Sequence, residues 1–180
     1  MTPIVDAHHH IWLRRDLPWL DGPMLPRGLH IDGHGYPHAI VGYADFLADD
    51  VRPQLDRLTN YRGMRGLRMQ LHWHENPLYR FAARADIVRE PTLRKNIAQL
   101  ADYNWSFELQ VFAGQMADAA ALAAACSRVT FILQHAGMLE DLSEAGWAQW
   151  REGMRGLAAQ PNVMCKLSAL GTFIHRNDPD

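Results

Sequence analysis

The chain has 180 residues, of which 48% are hydrophobic and 21% charged, and a formal net charge of −2. That length suits one domain with a real core, and the composition is that of an ordinary globular protein rather than a disordered or fibrous one. No basic cluster and no apolar run of membrane-spanning length appear, so nucleic acid and membranes are not expected partners.

Ten histidines are many for this length and give the one compositional hint of a metal or acid–base site. Cys126 and Cys165 lie far apart and form no pattern, which suits a reducing compartment and a cytoplasmic location.

Pro3-Ile4-Val5 leads directly into Asp6-Ala7-His8-His9-His10. Read as a first strand over residues 3–8, this stretch places Asp6, His8 and His10 on one face, because successive strand side chains alternate. Two imidazoles two residues apart at a strand end can grip one ion from the same side, and neutral imidazole suits zinc and similar borderline metals. From Leu13 to Pro37 the chain carries Pro18, Gly22, Pro23, Pro26, Gly28, Gly33, Gly35 and Pro37. These breakers leave room for no stable helix.

Residues 38–43 read as a second strand. Val51, Leu55 and Leu58 follow at the spacing of a short amphipathic helix. Residues 64–71 form a third strand, ahead of a polar loop with His74, Asn76 and Pro77. Pro91 suits the first turn of a helix whose stripe is Leu93, Ile97, Leu100 and Ala101. Residues 106–112 read as a strand, 115–126 as an alanine-rich helix and 129–135 as a strand. Ser143 can cap a helix with Trp147, Trp150, Met154 and Leu157 on its apolar face, and residues 163–168 are the last strand. Strands and helices alternate from residue 38 onward, which argues for βα units and a parallel sheet. About six strands result, whereas a closed barrel of this kind needs eight and about 250 residues.

Several stretches carry a resemblance in their order and spacing. They are Asp6-Ala7-His8-His9-His10-Ile11-Trp12 with Pro18-Trp19-Leu20, Arg65-Gly66-Leu67-Arg68 through His72-Trp73-His74, Phe107-Glu108-Leu109-Gln110-Val111, Phe131 to Gly137, and Asn162 to Ser168. Together they resemble the amidohydrolase superfamily, and within it the amidohydrolase-related branch that contains sugar lactonases and pyrone-dicarboxylate lactonase. The resemblance implies a (β/α)8 barrel with its site at the C-terminal mouth of the strands. Against that pattern the chain is expected to be an α/β, incomplete and open barrel of about six parallel strands in a single domain, residues 1–180. A helix, strand and helix are expected to be missing near residues 25–34, and the eighth unit after Asp180. An open sheet edge would favour self-association, so a homo-oligomer is one expectation.

The resemblance also implies hydrolysis of a lactone or similar cyclic ester, a small-molecule substrate, and one divalent metal, zinc in the first instance. The resemblance also allows operation without metal. His8, His10 and His135 are the expected metal ligands. His135 and Arg68 are the expected catalytic pair, Arg68 polarising a carbonyl or binding a carboxylate through its fork of donors; a plain salt bridge is its alternative role. Alternation places Arg68, Gln70 and His72 on one strand face. Gln70, His72, Gln110, Lys166 and His175 are the expected substrate-binding residues, since polar groups in buried strands are costly unless satisfied. Glu108 and Ser168 share those faces with Gln110 and Lys166. The resemblance also implies an aspartate on an eighth strand, for which no counterpart is expected within residues 1–180, Asp178 and Asp180 lying too early in the pattern. The alternative reading is therefore a barrel fragment impaired in catalysis.

Overall fold

The structure, a computed structural model, describes residues 39–171. Within them strands and helices alternate as β1 (Ile40–Tyr43), α1 (Arg52–Leu58), β2 (Met64–Arg68), α2 (Pro91–Ala98), β3 (Ser106–Leu109), α3 (Met116–Ala125), β4 (Phe131–Leu133), α4 (Glu144–Ala158) and β5 (Val163–Cys165). Short turns of tighter helix at Ala85–Arg89, Gln99–Tyr103 and Ala113–Gln115 lead into or out of these elements. The helices start where the sequence supplies a terminus. Pro53 and Pro91 occupy first turns, where the missing N–H costs nothing. The Ser143 hydroxyl accepts a hydrogen bond from the Gly146 N–H at 3.1 Å and caps α4. The helical run after Pro91 stops at Asn104, which takes the left-handed conformation at φ 56°.

The five strands are all parallel and lie in the order of the chain, β1 to β5. Register aligns Leu67, Phe107 and Phe131 in one row across β2, β3 and β4. These three are fully buried and join Leu55, Leu93, Ile97, Leu100, Met116 and Leu157 of the helices in one apolar cluster. Phe46 and Phe131 each meet the Phe107 ring edge-on, with centroids 5.2 and 5.9 Å away. The neighbouring row, Arg68, Glu108 and Ile132, belongs to the opposite face because of the two-residue period. That face carries the candidate site.

Polar side chains lock the layers together. Asn96, fully buried, donates to the Phe46 and Ala48 carbonyls at 3.0 and 2.7 Å. Gln115 accepts from the Trp73 N–H at 2.9 Å and donates to the Leu71 carbonyl at 2.9 Å, tying the loop after β2 to the loop after β3. Asn162 donates to the carbonyls of Ala123, Cys126 and Val129, which closes the turn ahead of β4.

The α/β alternation and parallel sheet agree with the sequence, and among the described residues the sheet is open, with β1 and β5 as its edges. It is the sheet of an incomplete barrel. Five of the six expected strands are described; the strand at residues 3–8 and the breaker-rich stretch 13–37 lie outside the described residues. The strands are shorter than read. β2 stops at Arg68 rather than residue 71, β3 at Leu109 rather than 112, β4 at Leu133 rather than 135, and β5 at Cys165 rather than 168. The polar residues beyond each strand leave the ladder and become the mouth. Trp147, Trp150 and Met154 of α4 are half-buried, and only Leu157 of the expected apolar face is fully buried. No helix among the described residues is long and apolar enough to cross a membrane.

Candidate active site

The site begins with one acid in an apolar strand. Glu108 stands between Phe107 and Leu109 and is 4% exposed. An isolated carboxylate so placed is costly, so its partners decide whether it can remain charged. Lys166, the first residue after β5, donates from Nζ to Glu108 Oε1 at 2.8 Å. Register sets Arg68 directly beside Glu108, with Nη1 3.9 Å from Oε2. Lys166 also reaches the Oε1 of fully buried Gln134 at 3.4 Å. One buried carboxylate thus holds two cations, one from the neighbouring strand β2 and one from just beyond β5, two strands away.

Beyond β4 the chain turns sharply. His135, Ala136, Gly137 and Met138 all take left-handed conformations, with φ of 54°, 49°, 75° and 50°. Each of the three non-glycine residues costs about 1–2 kcal/mol there. Hydrogen bonds from the Ala136 N–H to the Lys166 carbonyl (3.0 Å) and from the Trp150 indole to the Ala136 carbonyl (2.8 Å) hold the turn. Gly137 takes φ 75°, where any side chain is strained, and a Cβ there would also displace the flexible end of Met116. The turn carries His135 to Ser168, whose Oγ is 2.9 Å from His135 Nδ1. Burial, then the charges of Lys166 and Arg68, lower the His135 pKa, with Glu108 opposing.

His72 is 9% exposed, and its ring lies between those of Phe81 and Phe112, with centroids 5.7 and 5.8 Å away. Its buried Nδ1 has no hydrogen-bond partner. Burial first, then the charges of Arg68 and His135, push its pKa down to about 4. The ring is therefore neutral at physiological pH and sits within electrostatic reach of both neighbours. The expectation that Arg68, Gln70 and His72 share one strand face fails, because β2 ends at Arg68. The chain then bends so that the His72 carbonyl accepts from Phe81 and Ala82.

The structure brings Arg68, Lys166 and His135 together and sets His72 at the edge of the group. Gln110 is half-buried just past β3, its Nε2 3.4 Å from Met138 Sδ. Gln70 is half-buried two residues past β2. His8, His10 and His175 lie outside the described residues. Among the described residues no group of three or more His, Cys, Asp or Glu could hold a metal ion. Sequence reasoning underrated Glu108, Gln134 and Ser168; the signal for Glu108 was a lone acid bracketed by Phe107 and Leu109. His74, in the polar loop after β2, accepts from the Asn76 N–H at 2.9 Å and packs against Phe112. It lines a cavity of about 390 Å³ with Trp73, Phe112, Gln115 and Glu140.

A family model described as Amidohydrolase matches residues 29–180. The uncharacterized protein y4mH of Sinorhizobium fredii is 38% identical over 140 residues, covering 78% of this chain and 47% of the relative. An L-fucono-1,5-lactonase of Burkholderia multivorans is 30% identical over 213 aligned positions, covering 93% of this chain and 68% of the relative. That alignment is longer than the chain and therefore contains gaps on the chain's side. Two crystal structures of an amidohydrolase from Burkholderia multivorans superpose with TM-scores of 0.61 and 0.60 at 31% and 32% identity. One has HEPES bound and the other zinc; each superposition covers 76% of this chain and 46% or 45% of the solved one. The chain thus spans about half the length of the first of these relatives and of the solved structures. The matched segment runs through all five described strands and through every residue of the Glu108 cluster, and on that ground the chain belongs to the amidohydrolase family.

Proposed function

We propose that the chain hydrolyses a lactone or similar cyclic ester of a sugar or carboxylic acid at the mouth formed by Arg68, Glu108, His135 and Lys166. The observation that carries this reading is the Glu108 carboxylate fixing two cations beside a histidine. The name of the lactonase relative points to the substrate class.

Arg68 and Lys166 are the donors for the ester carbonyl. Held by a buried carboxylate, they need no rearrangement as negative charge develops on that oxygen, which is where preorganised donors act most strongly. His135 accepts the proton of the attacking water, because the same cations and its burial keep the imidazole unprotonated. His72, Gln70 and Gln110 make the remaining contacts to ring hydroxyls, with His175 as a further candidate. Glu108 is too buried to meet water and acts by positioning.

Were one divalent ion bound, zinc first, His8, His10 and His135 would be the ligand set we propose, and His135 would then serve as ligand instead of as proton acceptor. The described residues supply no three-ligand group by themselves, so no step here is routed through a metal. A bound ion would act as Lewis acid and lower the pKa of its water.

The test is a pH-stat assay with sugar-acid 1,5-lactones, run with zinc, with chelator, and on Arg68→Met and His135→Asn. Turnover that falls at least about tenfold in both variants is expected. Turnover unchanged in Arg68→Met would remove this site from the reaction. Binding of lactone without turnover in the parent chain would select the impaired-barrel reading.

A further inference from the structure

We infer that the cavity lined by Trp73, His74 and Glu140 is a binding site for an uncharged sugar, one of whose hydroxyls is taken between His74 and Glu140. Binding there needs no turnover at the Glu108 cluster, so it goes beyond the hydrolase reading and does not rest on it.

The state of His74 is settled by its neighbour. Its Nδ1 accepts from the Asn76 main-chain N–H at 2.9 Å. A main-chain N–H can only donate, so Nδ1 is the acceptor of this ring and the proton sits on Nε2. Glu140 Oε1 lies 3.9 Å from that Nε2, too far for a direct hydrogen bond. A hydroxyl oxygen fits the gap, because a point about 2.8 Å from both atoms makes an angle of about 90° there. It would accept from His74 and donate to Glu140. An ammonium has no acceptor and a carboxylate no donor, so neither can make both bonds.

Glu140 is an acceptor with capacity to spare. Its side chain is 13% exposed, and its buried Oε2 has no hydrogen-bond partner among the described residues. A buried polar atom left so is costly, and a donor brought to this carboxylate is correspondingly rewarded.

Water could also bridge the pair, and the walls favour a sugar over it. The cavity measures about 390 Å³ and includes Trp73 and Phe112 in its lining. Sites for small molecules have about 300–1,000 Å³ and this make-up, aromatic walls with a few placed polar groups. Trp73 is held in place: its main-chain N–H donates to Gln115 at 2.9 Å, and the Arg80 guanidinium lies 5.1 Å from its ring centroid. A sugar ring covers such a wall with its C–H face and removes apolar surface from water, which a bound water does not. Charge makes the last choice. Glu75, Asp86 and Asp118 join Glu140 in the lining, against Arg89, which is itself bonded to Asp118 at 2.8 Å. That balance repels an anion such as a sugar acid.

The experiment is an NMR titration of the full chain, 15N-labelled in histidine rings and tryptophan indoles, with the methyl glycosides of galactose, glucose, mannose and fucose. Galactonate and putrescine are the anionic and cationic probes. At least one glycoside should shift the His74 and Trp73 signals saturably, and both charged probes should bind more weakly. Glu140→Leu should weaken the glycoside at least about tenfold, as loss of a hydrogen bond to a charged group requires, and His74→Phe should weaken it several-fold. Arg68→Met should leave binding unchanged, since Arg68 does not line the cavity. Thermal melts identify a variant that fails to fold. Glu140→Gln, which keeps the shape and loses the charge, then decides in place of Glu140→Leu and should weaken binding several-fold. No shift with any glycoside would mean a cavity that holds water only and would overturn the inference. So would tighter binding of galactonate or putrescine, unchanged binding in the Glu140 variants, or loss in Arg68→Met, which would put the sugar in the Glu108 mouth. A sugar bound by a chain that hydrolyses no lactone leaves this site standing and removes the hydrolase reading instead.

Discussion

Glu108→Gln is the perturbation that examines the centre of the site most directly. The substitution keeps size and one carbonyl acceptor for Lys166 but deletes the negative charge that Glu108 sets between two cations. Hydrogen bonds to charged groups are worth about 1.5–3 kcal/mol, and breaking a buried pair costs about 3–5 kcal/mol. Lys166 and Arg68 keep 16% of their side-chain surface in water, which relieves part of the penalty. A loss of about 2–3 kcal/mol follows, which lowers Tm by roughly 5–10 °C for a domain of this size. Urea denaturation followed by far-UV circular dichroism measures the loss. The pairing itself is isolated by the double-mutant cycle with Lys166→Met, where a coupling of about 2 kcal/mol is expected. A single variant within about 0.5 kcal/mol of the parent, or a cycle with no coupling, would show that the carboxylate and ammonium are independently solvated and that the site is not preorganised.

Two glycines of α4 should respond in opposite directions. At Gly153 a new Cβ would stand 2.7 Å from Met116 Cβ, so Gly153→Ala should destabilise by about 1–3 kcal/mol despite better helix propensity. At Gly156 nothing lies within 4 Å, so Gly156→Ala should stabilise by about 0.5–1 kcal/mol; equal shifts in the two melts would contradict the α3–α4 packing. The depressed His72 pKa carries a pH dependence whose sign is fixed. The group's contribution is fully present above its unfolded value of 6.5 and is lost as pH falls toward about 4, amounting to about 3 kcal/mol over that window. His72→Phe should flatten the stability profile between those values, and an unchanged slope would mean that the imidazole is solvated.

The alternation of strands and helices was legible because each rests on local signals. Pro91 and Ser143 marked helix starts, and the Leu93, Ile97, Leu100 spacing marked a buried face that the structure shows. Strand ends were less legible. Periodicity continued past Arg68 through Gln70 and His72, and nothing local says that the ladder stops; the packing of His72 between Phe81 and Phe112 is a tertiary event. Candidate residues could be chosen by type and resemblance, and Arg68, His135 and Lys166 were among those chosen. Their arrangement could not, because it depends on which strand neighbours which and in what register. Glu108 became the centre only once Arg68 and Lys166 were seen on either side of it.

The chain-order arrangement of the strands bears on how the domain assembles. Each strand pairs with its predecessor in sequence, so the sheet can grow one strand–helix unit at a time without waiting for distant chain. Contacts of short sequence separation of this kind favour fast folding and suit synthesis from the N-terminal side. The charge cluster does not follow that schedule. Glu108 is placed when β3 joins β2, yet its main donor, Lys166, arrives only after β5, 58 residues later. Until then, among the described residues, the carboxylate has Arg68 at 3.9 Å and stands between Phe107 and Leu109. Docking of the last described strand is thus rewarded twice, by ladder bonds and by relief of a half-neutralised acid, so assembly that begins stepwise closes cooperatively at β5.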